Sequence, residues 1–123
     1  MSYSNDQWRS AITNLLKMTS KNEIQWESTQ IEIGDAWITV DRSLKAEIKN
    51  RIYVISQIRT RYYHDEEEFS WRGGFIFSIF EQKGYGDFEK IAAAPEMNSL
   101  GSLFEAAEGN MAFNRNALGG LIG

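Results

Sequence analysis

The first apolar residues of the chain recur at the three-to-four-residue spacing of a helix. Ser4 followed three residues later by Gln7 is typical of a capping box, which satisfies backbone N–H groups at a helix start. The pattern ends near Met18, before a polar cluster at residues 19–22. The sequence therefore predicts a first helix whose buried stripe is formed by Trp8, Ile12, Leu15 and Leu16.

The next part of the chain changes to the two-residue alternation of strands. This alternation predicts a strand around residues 24–26. Residues 31–33 and 37–40 alternate on either side of Gly34 and Asp35, which predicts a hairpin with its turn there. Residues 42–50 are polar enough to predict a loop or a ragged edge strand. A long β-branched run from Ile52 to Tyr63 predicts a central strand.

The second half of the chain predicts further strands and a final helix. Residues 75–80 are almost continuously apolar, as in a strand buried on both faces, and a glycine turn at 84–86 leads to a short strand at 88–93. Ser99 is the expected N-cap of the final helix, and Gly109 its stop or kink. The order predicts an α+β fold with an N-terminal helix, an antiparallel sheet of about five or six strands, and a C-terminal helix packed on one face.

Length and composition indicate one globular domain spanning residues 1–123. The chain is 42% hydrophobic, which is enough apolar material for a core. It has no cysteine, so disulfides and thiolate metal ligands are excluded. The first residues lack the basic and apolar regions of a secretory signal, and no stretch approaches the roughly 18 apolar residues of a membrane span. We therefore expect a cytoplasmic protein that does not enter a membrane.

The charges are unevenly distributed along the chain. A net charge of −4 disfavours a general affinity for nucleic acid. Residues 42–61 nevertheless carry six basic side chains and one acidic side chain, a local balance of 6 − 1 = +5. One interpretation is that neighbouring strands pair these basic side chains with carboxylates. The other is a basic stripe that binds the phosphates of a nucleic acid or nucleotide through Arg51, Arg59 and Arg61, with stacking by Tyr53 or Tyr62.

His64 is the only histidine of the chain, which excludes zinc sites built on several histidines. It precedes four acidic residues in an expected loop, where a solvated charged tip accounts for the composition. A small enzyme using His64 with Arg59 or Arg61 and an acid is the third hypothesis. The glycines at 84 and 86 lack the third glycine of a dinucleotide motif, so we expect neither a cofactor nor a metal.

Aromatic residues and the acidic loop carry the leading hypothesis. The spacing of most of the four tryptophans indicates core packing, whereas Trp71, Tyr62 and Tyr63 flank the acidic loop and can project as anchors. We expect a small acidic protein-binding factor, such as an inhibitor, an immunity-type protein or an assembly subunit, that occludes a basic or nucleic-acid-binding surface of its partner. The predicted partner-binding residues are Asp65, Glu66, Glu67, Glu68, Tyr62 and Trp71.

The last residues of the sequence alternate apolar side chains with glycine. Leu118, Leu121 and Ile122 can dock on the domain itself, on a partner or on a second copy. A homo-oligomer formed through the C-terminal helix and tail is therefore a further prediction. The apolar spacings from Trp8 to Trp26 and in the final helix resemble those of small bacterial and phage proteins, and this resemblance implies no functional residue.

Overall fold

The first and the last element of the chain are helices, and five strands lie between them in sequence. The computed structural model describes residues 1–122. The elements are α1 (Asn5–Ser20), β1 (Glu27–Thr29), β2 (Ile38–Ile48), β3 (Arg51–Tyr63), β4 (Phe69–Gln82), β5 (Phe88–Ala93) and α2 (Ser99–Asn114). Within residues 1–122 neither helix is long and apolar enough to cross a membrane. The α+β fold predicted from the sequence is confirmed, with five strands in the sheet.

The sheet is an antiparallel meander in which each strand pairs with its neighbour along the chain. The spatial order is β1-β2-β3-β4-β5. The predicted central strand is confirmed, because β3 lies in the middle and pairs with β4 along its whole length, from Arg51 to Tyr63. Strands β2, β3 and β4 are much longer than β1 and β5, so three strands extend beyond the ends of their outer neighbours.

One face of the sheet, called the helix-side face, packs against both helices. Phe77 of β4 is fully buried there, with the Trp8 ring of α1 edge-on at 6.2 Å and the Tyr53 ring of β3 stacked at 6.3 Å. The capping box of Ser4 and Gln7 is present at the start of α1. The buried helix residues that complete this core are Ile12, Leu15, Leu100, Leu103, Phe104, Ala107 and Met111.

The opposite face, called the second face, is covered by the segment between β1 and β2. Ile31 packs against a small cluster formed by Ile52, Val54 and Phe80. The buried carboxylate of Glu32 accepts a hydrogen bond from Lys90 Nζ of β5 at 2.8 Å. The segment therefore crosses beneath the sheet from the β1 edge towards the β5 edge.

This crossing segment shows that the hairpin predicted around Gly34 and Asp35 is wrong. Residues 31–33 form no strand, and Asp35 Oδ1 instead accepts the backbone N–H groups of Trp37 and Ile38, where β2 begins. A Cβ at Gly34 would lie 2.2 Å from the carbonyl oxygen of Ile38, so the turn requires glycine. Of the two isoleucines in this alternation, Ile31 packs on the second face, whereas Ile33 is exposed.

Other predicted boundaries also differ from the structure. Residues 42–48, predicted as a loop or ragged edge, form the second half of β2 between β1 and β3. Two of their polar side chains have cross-strand partners, Ser43 with Ser56 and Lys45 with Glu27. Helix α2 continues through Gly109 to Asn114, and Asn98, not Ser99, is its N-cap residue. Strand β1 begins at Glu27, while Ile24 and Trp26 enter the core from the preceding loop.

Asn110 joins α2 to the segment that connects α1 with β1. Its buried side-chain oxygen accepts the backbone N–H of Trp26 at 2.9 Å. Its amide nitrogen donates to the carbonyl oxygens of Thr19 and Ile24, at 3.4 and 3.2 Å, and to Asn22 Oδ1 at 3.0 Å. The Asn110 side chain thus supplies hydrogen-bond partners to backbone groups of a connection that has no regular secondary structure.

Candidate functional site

Three strands project beyond the helices and form what we call the arm, made of residues 37–41, 59–63 and 69–73. The core beneath the helices ends at Leu44, Ile55 and Phe75. Beyond these positions β3 continues for several residues whose side chains are mostly exposed on both faces. The arm is therefore a three-stranded ribbon with two accessible faces.

Four large rings, the aromatic cluster, share the helix-side face of the arm. Strand register places Tyr63 opposite Phe69 and Arg61 opposite Trp71, and the backbone N–H of Arg61 donates to the carbonyl oxygen of Trp37. The ring centroids of Trp37 and Tyr63 are 5.8 Å apart, those of Tyr63 and Phe69 5.5 Å, and those of Phe69 and Trp71 5.7 Å. The rings form one continuous row across three strands.

The aromatic cluster is exposed yet held in place by its own contacts. Trp37 is 59% exposed, and the other three rings are 41–42% exposed. Each ring pair in such edge-on or tilted geometry contributes about 0.5–1.5 kcal/mol beyond area burial. Because neighbouring rings restrict one another's rotamers, a partner that binds them has less side-chain entropy to remove. Exposed rings with this preorganisation are suited to binding.

Two arginines of β3 stack on the aromatic cluster. The Arg59 guanidinium lies 5.0 Å from the Trp71 centroid, and that of Arg61 lies 5.3 Å from Trp71 and 5.2 Å from Phe69. Arg59 Nε also donates to both oxygens of Asp41, at 2.8 and 3.0 Å. Within residues 1–122 Arg61 has no carboxylate at ion-pair distance. Arg61 is therefore the cation on this face that is available to a partner.

The second face of the arm carries a separate polar group. Tyr62 lies there, on the opposite side from Trp71, with the Arg72 guanidinium 3.9 Å from its ring centroid. His64 Nε2 is 3.0 Å from Ser70 Oγ, and its ring packs edge-on against Tyr62. The two predicted anchors, Tyr62 and Trp71, thus lie on opposite faces. His64 lies with Tyr62 on the second face, so it does not come together with Arg59 or Arg61, which lie on the helix-side face.

The acidic residues 65–68 form the tip of the arm, in the turn between β3 and β4. Asp65 Oδ1 accepts the backbone N–H groups of Glu67 and Glu68, each at 2.8 Å. These two hydrogen bonds lower the pKa of Asp65 from its ordinary value of 3.8. The Glu66, Glu67 and Glu68 side chains are exposed. The tip is therefore an ordered loop that presents several negative charges.

The lowered pKa of Asp65 makes the order of the tip depend on pH. A group whose pKa is depressed in the folded state stabilises that state above its unfolded pKa and loses this effect as pH falls through the folded pKa. We expect the amide signals of Glu67 and Glu68 in NMR spectra to shift with a midpoint below 3.8. Asp65→Asn should remove that transition, whereas a midpoint at or above 3.8 would contradict the two hydrogen bonds.

The structure brings together only two residues of the predicted basic stripe, Arg59 and Arg61, which both stack on Trp71. Arg51 lies eight residues before Arg59 on β3, a distance of about 27 Å, and its Nε donates to Glu81 of β4. Tyr53 stacks in the core against Phe77. Pairing between neighbouring strands holds for three of the six basic residues between 42 and 61: Lys45 with Glu27, Arg51 with Glu81, and Arg59 with Asp41. A fourth, Arg42, pairs with Glu108 of α2.

The described residues include no group of three or more histidine, aspartate or glutamate side chains that could hold a metal ion. A cavity of about 710 Å³ lies where β1 ends, lined by residues that include Thr29, Glu32 and Ser43. His64, at the far end of the arm, is not among its lining residues. The arm, with its rings and charges, is thus the best-defined candidate site.

Comparisons with protein-family models, with curated proteins and with solved structures found no match to this chain. Function is therefore inferred from the arm itself.

The C-terminal residues follow α2 as a series of turns on the surface. Leu118, Leu121 and Ile122 are between 58 and 81% exposed, and Phe113 of α2 is 76% exposed beside them. Gly109, Phe113, Leu118 and Ile122 contribute to the lining of a cavity of about 330 Å³. The tail thus stays outside the core, and self-association through it stays a prediction.

Sequence reasoning identified some residues of the arm and missed others. Trp71, Tyr63, Arg59 and Arg61 were singled out, and all four lie in the same contact network. Trp37 and Phe69 were not. The missing signal is strand register, because the pairing across the 64–68 turn alone reveals that Tyr63, Phe69 and Trp71 face the same way.

Proposed function

We propose that this protein is a protein-binding factor that uses the arm to occlude a surface of its partner. The observation that carries the proposal is the aromatic cluster, a row of four exposed rings held together on one face. Tryptophan, tyrosine and arginine dominate the binding energy of protein interfaces, particularly where they lie close together. The cluster with Arg61 has this composition.

The charges of the arm favour a protein over a nucleic acid as partner. The four tip acids lie next to Phe69 and repel phosphates, and Asp41 already neutralises Arg59. Basic groups on a protein surface would instead be attracted to the tip while the rings bind apolar residues nearby. The mechanism would be steric and electrostatic occlusion, with the aromatic cluster as anchor and residues 65–68 as the steering element.

A second candidate function is binding of single-stranded nucleic acid by the same face. Rings and arginines that lie side by side on neighbouring strands are able to stack bases, and the Trp71 ring of β4 contacts both Arg59 and Arg61 of β3. The two functions differ in their response to the tip. Changing Glu66, Glu67 and Glu68 together to glutamine should weaken protein binding and strengthen nucleic-acid binding, whose affinity also falls steeply with salt.

Trp71→Ala is expected to weaken binding to the partner by about 30-fold, which corresponds to the loss of roughly 2 kcal/mol at an interface hot spot. The partner would be obtained by affinity purification with the wild-type protein, and its binding then measured by titration calorimetry.

Tyr85→Ala is the matched control for this experiment. Tyr85 is a fully exposed ring in the turn between β4 and β5, away from the arm, so its loss should leave affinity unchanged. Circular dichroism spectra would establish that both variants keep the fold. Equal affinity of the Trp71→Ala and wild-type proteins would refute the proposed role of the arm.

A further inference from the structure

The outer edge of β4 is open along the arm. Strand β5 pairs with β4 only from Ser78 to Gln82, and the backbone N–H of Ala94 adds a hydrogen bond to the carbonyl oxygen of Phe77. Between Phe69 and Ile76, no backbone group of residues 1–122 outside β3 is hydrogen-bonded to β4. Such an edge presents unpaired donors and acceptors that can pair with another strand.

The direction of each backbone group on this edge follows from the register. Bonded and non-bonded pairs alternate along an antiparallel ladder. The backbone N–H of Ala94 donates to the Phe77 carbonyl oxygen from the side of β4 opposite β3, so the backbone groups of Phe77 point outward, away from β3. The Glu68 carbonyl oxygen, in contrast, accepts the His64 N–H and points towards β3. The register from Phe69 to Glu81 is uninterrupted. The odd-numbered positions therefore direct their N–H and C=O groups outward: Phe69, Trp71, Gly73 and Phe75.

The same odd-numbered residues carry the side chains of the aromatic cluster on this strand. Phe69 and Trp71 are both exposed on the helix-side face, next to the open edge. Gly73 follows them on that face, and a Cβ built there would meet no atom within 4 Å. An added strand would thus gain backbone hydrogen bonds and ring contacts together, and a large side chain on it could cover the bare glycine.

The lower part of the edge has room for such a side chain. A cavity of about 230 Å³ is lined by Gly73, Gly74, Phe75 and the residues that precede α2, including Met97. Glycine permits close approach of another backbone, which suits two adjacent glycines at an unpaired edge.

Charge defines the other side chains that an added strand would need. On the second face Arg72 stacks over Tyr62, and on the helix-side face Arg61 lies over Phe69 and Trp71. The ion pairs found within residues 1–122 involve neither arginine. Acidic side chains on the incoming strand would therefore find unpaired cations on both faces.

We propose that the β4 edge takes up an extended segment of the partner protein as an additional strand, with apolar or aromatic residues on the helix-side face and acidic residues on the second face. This inference rests on the proposed function and names the class of partner segment. The open edge from Phe69 to Phe75 spans six residue steps, about 20 Å, which fits a strand of about seven residues. The segment would lie end to end with β5.

The test uses a synthetic nine-residue peptide that alternates phenylalanine with glutamate, with both ends blocked. When it binds, hydrogen exchange should slow at the outward amides of Trp71, Gly73 and Phe75. The amides of Ser70, Arg72 and Gly74 already face β3 and should change little. This odd–even difference is specific to strand addition, because contact with side chains alone would not produce it.

Gly73→Pro is the variant that blocks the edge while leaving every ring and arginine in place. The lost N–H faces outward, so no hydrogen bond to β3 is removed, and proline is accepted on strand edges in this orientation. We expect the peptide to bind at least about tenfold more weakly, from one lost hydrogen bond and the obstruction by the ring. Gly73→Ala, which keeps the donor, is the matched control and should change affinity less than about threefold.

Two N-methylated peptides make the test independent of any variant. One is methylated at the even backbone nitrogens and the other at the odd ones, so that only one of them loses the donors that face β4. One methylated peptide should bind like the parent and the other should not bind.

The possible failures separate this inference from the proposed function. Absence of peptide binding, equal binding of both methylated peptides, or undiminished binding to Gly73→Pro would each overturn strand addition. Partner capture that is lost in Trp71→Ala but kept in Gly73→Pro would leave protein binding by the arm intact and overturn strand addition alone.

Discussion

Phe77→Ala is expected to lower the free energy of unfolding by about 3–5 kcal/mol. Phe77 is fully buried at the centre of the helix-side core, between the rings of Trp8 and Tyr53. Its removal loses the transfer free energy of the ring and leaves a cavity between α1 and the sheet that rigid strands can fill only in part. Equilibrium unfolding in urea, followed by tryptophan fluorescence, measures this loss.

Phe113→Ala is the control for the core substitution. Phe113 lies on α2 but is 76% exposed, so its replacement should change stability by no more than about 0.5 kcal/mol. If the two variants unfolded at the same urea concentration, Phe77 could not be the centre of the core. The comparison also tests how firmly β4 is anchored in the core, because this strand carries both Phe77 and the open edge of the arm.

Asn110→Ala is expected to lower the free energy of unfolding by about 3 kcal/mol or more. The substitution leaves the backbone N–H of Trp26 and the carbonyl oxygen of Ile24 without their partner in a buried environment. The carbonyl oxygen of Thr19 keeps the backbone N–H of Asn22 as a donor. Each unsatisfied buried group costs about 1–3 kcal/mol. Urea unfolding again provides the measurement, with circular dichroism as the signal.

Two further variants distinguish hydrogen bonding from volume at this position. Asn110→Leu keeps the branched shape and fills at least the same volume but forms none of the hydrogen bonds, so it should be destabilised as strongly as Asn110→Ala. Asn114→Ala, which removes two hydrogen bonds from an exposed side chain on the same helix, should cost less than about 1 kcal/mol. Wild-type stability of Asn110→Leu would exclude the polar network as the element that joins α2 to the α1–β1 connection.

The elements that sequence reasoning predicted correctly are those with a strong local signal. Helix α1 has both a capping box and a regular apolar stripe, and β3 is a long β-branched run. Local propensity and tertiary packing agree in these two segments, so the pattern is sufficient.

The segment between β1 and β2 was mispredicted because its pattern reflects long-range packing. Ile31 is apolar because it covers Ile52, Val54 and Phe80, and the buried Glu32 pairs with Lys90 of a distant strand. Alternation in sequence does not distinguish a strand from a loop that crosses a sheet face. Polar positions such as Lys45 likewise concealed a strand, because its carboxylate partners Glu27 and Glu47 are known only from the fold.

Individual residues of the candidate site could be predicted from the sequence, but which of them share one face of the sheet could not. Trp71 and Tyr62 were assigned to one binding site, yet they occupy opposite faces, because a shift of one residue along a strand reverses the face. The unpaired groups of β4 were not predictable at all. They depend on where β5 ends, and this in turn depends on how the chain leaves the sheet for α2.

The open edge of β4 also carries a hazard for the protein itself. An accessible row of backbone donors and acceptors flanked by apolar rings is the kind of template from which sheet aggregates grow. A second copy that approached this edge in parallel and in register, as in such aggregates, would place tip acids against tip acids and arginines against arginines, and like charges would repel at close range. The charges that surround the edge therefore disfavour in-register stacking of identical chains, while a partner segment with complementary charges would meet no such repulsion.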